Sequence, residues 1–248
     1  MQWSLSLIMS FLIITLSACA TQNVPERLPV YFGVDKELLT NLTADSLPKE
    51  AVKAGLVVMN DTTYPGSAPA LSHEGLDRFS QRLKAKLMND FPISIVKVID
   101  SPQLKRGQDS RQFVQLAQQE GLDYLLLALL SSVENEVPDQ FSLQGGRNGL
   151  SGGRGRLLGF RAENYALVEL ALVHGKTGQP VVHANGSAWS VLERLNVPIA
   201  SNVFPVVRRD LTQAPIYPTE ETAYDVLRLV SADDAMKQAL LHFQKVWR

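Results

Sequence analysis

The side chains best suited to acid–base or metal chemistry are four histidines and a scatter of carboxylates. His73, His174, His183 and His242 fall at no metal-ligand spacing, whereas a zinc site needs three or four ligands converging at short intervals. His174 and His183 flank a predicted hairpin turn. They could face each other across it, but the sequence sets no Cys or carboxylate with them. Glu134, Glu136 and Asp139 lie at a predicted strand end, where a solvated face accounts for them more simply than an acid–base pair. Gly175-Lys176-Thr177 matches the end of a phosphate loop. Leu170 stands where that motif needs its first glycine, and a strand rather than a helix follows. No Gly-x-Ser-x-Gly motif is present. These residues predict no catalytic group, no metal site and no cofactor, so an enzyme has no constellation to support it.

One stretch is chemically distinctive. Residues 142–161, SLQGGRNGLSGGRGRLLGFR, hold seven glycines together with Arg147, Arg154, Arg156 and Arg161. The plain reading is a solvated loop. The sharper one is an anionic docking loop for lipid phosphate, lipopolysaccharide or an acidic partner, because a guanidinium grips phosphate through two parallel hydrogen bonds.

Cys19 is the only cysteine in 248 residues. Residues 1–18 carry no charged side chain, and their apolar core, residues 5–16, has signal-peptide length and is too short to span a bilayer. The run Leu16-Ser17-Ala18-Cys19 resembles a bacterial lipobox at all four positions. The resemblance implies diacylglyceryl transfer to the Cys19 sulfur, cleavage before it and acylation of the new amino terminus. Several acyl chains on one residue anchor stably where a single chain holds marginally. By resemblance to enterobacterial lipoproteins, Ala20 rather than Asp after the cysteine implies the outer membrane, with the protein facing the periplasm. The alternative is an ordinary secretory signal, which leaves a lone thiol in an oxidising compartment.

The elements that must position all this follow from periodicity. Residues 19–50 contain Pro25, Pro29 and Pro48 and read as lipid anchor and flexible tether, with YFGVDKELL a segment that can dock locally. Residues 51–248 read as one domain. AGLVVMND predicts a strand. Ser72 caps a helix whose Leu76, Phe79, Leu83 and Leu87 share a face. ISIVKVID predicts a second strand. Asp109 or Ser110 caps a shorter helix stopped by Gly121. LDYLLLALLSS is apolar on both alternations, as a covered central strand should be. Residues 165–173 and 180–192 predict a hairpin around HGKTGQ. Polar inserts are expected near 134–163 and 196–219. The apolar, Pro-rich 196–210 either covers the domain's own edge or serves as a partner-binding arm. The chain ends in helices, with Ser231 and Asp234 a capping box for the last. Trp189, Tyr217 and Trp247 read as core or rim aromatics. The fold class is α/β (α+β): a single three-layer-like domain with a mixed sheet of about five strands, flanking helices and a C-terminal helix.

This order, with AGLVVMND, GLDYLLLALLSSV and ALVELALVHGKTGQPVVHANGSAWS, resembles a family of periplasmic α/β lipoprotein domains. The family includes the curli secretion lipoprotein, the penicillin-binding-protein activator lipoprotein and the amino-terminal domain of TolB. The resemblance implies a non-catalytic binding, assembly or regulatory factor of the cell envelope, with an envelope protein as partner or self-association as the alternative. Neither insert alternates apolar and polar over the ten or so residues of a spanning strand, so no pore is expected. Charged residues are 20% of the chain and the net charge is −1, which excludes a nucleic-acid footprint.

Overall fold

A computed structural model of the chain describes residues 24–35, 37, 39, 48, 50–99, 104–107, 110–142, 156–196, 203–209 and 213–247. Its strands are β1 (Val52–Asp61), β2 (Ile93–Ile99), β3 (Tyr124–Ser142), β4 (Arg156–His174), β5 (Pro180–Leu195) and β6 (Val206–Arg208). Its helices are α1 (Leu28–Phe32), α2 (His73–Asp90), α3 (Arg111–Glu120) and α4 (Ala223–Trp247). The strands form one sheet in the order β2-β1-β3-β4-β5-β6. β1 runs parallel to both β2 and β3, and the remaining pairs are antiparallel. Among the described residues no helix is long and apolar enough to cross a membrane.

The two helical layers explain the apolar runs. On one face α2 and α4 bring Phe79, Leu83, Leu87, Met236, Ala239 and Phe243 against Leu56, Leu126, Val168 and Leu170. On the other face α1 and α3 bring Leu28, Phe32, Phe113 and Ala117 against Val57, Leu127 and Leu129. Leu125 through Leu129 are therefore fully buried on both alternations. The Ser72 hydroxyl accepts from Gly75 N at 3.0 Å and starts α2 as expected. Ser110 starts α3 without a side-chain cap, and Gly121, at φ 65°, ends it.

The mixed α/β sheet, its flanking helices and the C-terminal helix are as expected, and three details differ. The sheet has six strands because Val206–Arg208, from the Pro-rich stretch, pairs with Val191–Glu193. Val206 and Val207 are fully buried there, so this part covers the domain's own edge. The flanks of the insert expected near 134–163 are strand: β3 and β4 stay paired from Tyr124↔His174 to Ser142↔Arg156. Residues 134–142 obtain their regularity from that partner rather than from an apolar alternation of their own. The expected terminal helices are one, since α4 runs unbroken through Ser231. The Ser231 hydroxyl donates back to Leu227 O at 3.2 Å, a bond that satisfies a serine inside a helix rather than capping one. Within 19–50, Tyr31 and Phe32 of the segment expected to dock locally are buried against the sheet, together with Leu28 just before it.

Candidate functional site

The sheet face under α1 carries buried carboxylates. Leu129 pairs with Met59 on one side and Glu169 on the other, and Glu169 pairs with Asn185, which sets these residues side by side on one face. Asp61 ends β1 on the same face, two residues beyond Met59. Glu169 is fully buried and Asp61 is 2% exposed. A buried carboxylate is tolerated only with donors around it, and here the donors come from the N-terminal segment.

Glu169 Oε2 accepts from the backbone N–H of Arg27 at 2.7 Å, and both its oxygens accept from Leu28 N at 3.2 Å. These N–H groups open α1, where helix geometry leaves donors without intrahelical partners. Glu169 thus caps a helix to which it is not locally connected. The Arg27 side chain reaches the other way. Its Nε donates to Asp61 Oδ2 at 2.9 Å, and its guanidinium lies 5.4 Å from the Tyr64 ring centroid. Asp61 also accepts from the Thr63 amide at 2.9 Å and from the Thr63 hydroxyl. Burial alone would raise the Asp61 carboxyl, but the Thr63 donors and Arg27 outweigh it and hold the group below its ordinary value. Burial, with Asp61 adding to it, pushes the Tyr64 phenol up to about 12, and its O–H donates to Ser132 O at 2.7 Å. Tyr31 is raised for the same two reasons. At the β5 side, Asn185 Nδ2 donates to Glu26 Oε1 at 3.1 Å.

The arrangement recognises main-chain N–H groups and one guanidinium, and it is filled by the chain's own residues 26–32. Among the described residues no group of three or more His, Cys, Asp or Glu is placed to hold a metal ion. His183 has a carboxylate beside it after all: its Nε2 is 3.8 Å from Glu169 Oε1, outside hydrogen-bond distance. His174 and His183 do not face each other, because His183 pairs with Ala171 while His174 pairs with Tyr124 and sets its ring edge-on to it at 5.2 Å.

Of the residues expected to act, Cys19, Arg147 and Arg154 lie outside the described residues. Arg156 opens β4. Arg161 lies on β4, its Nε donating to Glu163 Oε1 at 3.1 Å. Glu134 makes a two-pronged pair with Arg228 of α4 at 2.8 and 2.9 Å, and Glu136 lies 3.7 Å from Arg194, so both tie the extended hairpin down. Trp247 stacks on Phe243 at 5.5 Å, whereas Trp189 and Tyr217 are exposed. The sequence reading missed Glu169, Asp61 and Arg27. The available signal was Glu169 itself, the one charged residue within the apolar run of residues 165–173.

No protein-family model and no curated protein matches the chain. Solved structures with a similar arrangement include the LpoB C-terminal domain from Salmonella enterica, at 17% identity, 64% of this chain, 97% of that one and a TM-score of 0.33. A homolog of the neuraminyllactose-binding hemagglutinin from Helicobacter pylori matches at 10% identity over 81% of this chain and 94% of that one, with a TM-score of 0.38. The PelC dodecamer from Paraburkholderia phytofirmans matches at 12% identity over 78% and 92%, with a TM-score of 0.29. Likeness at this level carries no partner or assembly over to this chain.

Proposed function

We propose that the protein is a lipoprotein anchored in the bacterial outer membrane through Cys19, facing the periplasm. There it acts as a non-catalytic binding, assembly or regulatory factor of the cell envelope. The observation that carries this reading is the use of the buried polar side chains. The sheet spends Asp61 and Glu169 on holding residues 26–32, a few positions after the lipobox-like run, and not on an open cleft. A fold that buries two carboxylates to fix the segment joining it to an anchor is organised around attachment rather than turnover.

The test is palmitate-analogue labelling of cells making the native chain or Cys19→Ala, combined with crosslinked pull-down from membranes. Label on the native chain alone, together with a co-purifying envelope protein, is expected. Absence of label refutes the anchor, and recovery of nothing but copies of the chain replaces the adaptor reading with a self-assembling one.

A further inference from the structure

The clamp fixes where the N-terminal segment leaves the domain, and therefore how far the domain stands from an anchor at Cys19. Glu26 is held by Asn185 of β5. Seven residue steps separate Cys19 from Glu26, and even fully extended they reach at most about 25 Å. Were 19–50 a free tether, its thirty-one steps would reach about 100 Å. The docked helix therefore turns a long tether into a short leash.

The surface beside that exit has a definite chemistry. Asn185 and Trp189 are separated by two pleats of β5, so they share a face. The register fixes the same face independently, through the pairs Glu169↔Asn185 and Tyr165↔Trp189. Trp189 is 48% exposed and lies about 13 Å along the strand from Asn185. Tyr165, its cross-strand partner, donates its O–H to Glu163 Oε2 at 2.9 Å. Arg161 stands two pleats from Tyr165 on that face of β4. An exposed Trp beside a half-buried Tyr, with a guanidinium nearby, is the composition of a membrane–water interface, where amphipathic rings sit at headgroup level.

Resting on the lipid-anchor reading, we infer that the anchored domain lies against the bilayer on this β4–β5 face, with Trp189 in the headgroup layer. The leash length and its exit point select a lipid surface as the occupant.

The experiment uses the acylated protein purified from membranes, carrying Trp247→Phe so that Trp189 supplies the indole emission. It is placed in phosphatidylethanolamine–phosphatidylglycerol vesicles containing lipid brominated near the headgroup. A second form carries twenty Gly and Ser residues inserted after Asn23, which add about 25 Å of root-mean-square reach and leave the clamp intact. Quenching of Trp189 in the short-leash form, several-fold weaker in the extended form, is expected. No quenching in the short-leash form overturns the inference while the anchor stands, and equal quenching in both forms overturns the leash as what holds the face to the bilayer. Absence of palmitate label together with failure to float with vesicles overturns the anchor reading, and the inference with it.

Discussion

Glu169 caps the backbone of Arg27, a residue 142 positions earlier in the chain. The carboxylate occupies the position usually given to a helix's own Ser, Thr or Asp, and it does so from the middle of a buried strand. Arg27 completes the exchange by pairing its side chain with Asp61. Strap and sheet thus each supply the partner that the other lacks.

Removing the Glu169 carboxylate should release the strap before it unfolds the sheet. Glu169→Gln keeps the volume but weakens two charge-assisted bonds, and a loss of about 1–3 kcal/mol is expected. Native-state hydrogen exchange provides the check. The Leu28 and Val30 amides should lose protection, whereas those of Leu126 and Leu170 should stay close to the wild-type level. Uniform loss across all four would show that Glu169 supports the core rather than the strap.

Asp61 makes stability depend on acid. Its folded-state pKa is lower than the ordinary value of 3.8. The stabilisation it gives is therefore complete above that value and is lost as pH falls through the lower, folded one. Urea midpoints measured from neutral pH downward should fall below about pH 4. In Asp61→Asn the curve should start lower and lose that part of its slope. An unchanged slope would assign the acid sensitivity to other carboxylates.

Gly186 permits α4 to sit on β5. A methyl group there would meet the backbone of Ala235 and Ala239, and the helix backbone has no way to yield locally. Gly186→Ala should cost about 3 kcal/mol through a forced shift of α4. That is roughly 6–12 °C in Tm for a domain of this size. Thermal unfolding followed by circular dichroism reads it directly, and a shift below about 2 °C would show that the contact is soft.

Much of this architecture is legible in local pattern. Leu76, Phe79, Leu83 and Leu87 announce α2, and the double-sided apolar run at Leu125–Leu130 announces the covered centre of β3. What escapes is structure made by distant partners. Residues 134–142 are polar and exposed for the most part, and they are strand because β4 pairs with them position by position. The five residues of α1 are too few to show a period, and their burial depends on a sheet formed by residues far along the chain. Glu169 lay in plain sight inside an apolar strand. Its partners, two backbone amides, leave no mark in any sequence.

The outer edge of β3 carries a further consequence. Beyond the bridge between Ser67 and Val133, no strand among the described residues pairs with that side of β3. Pro138 sits in the middle of this edge and has no N–H to offer, and Glu134, Glu136 and Asp139 surround it. An incoming strand would meet a missing donor at Pro138, a standard barrier to edge-to-edge growth. At high local density such an edge lets copies crowd together without seeding fibrils, so Pro138 serves as a guard on colloidal behaviour.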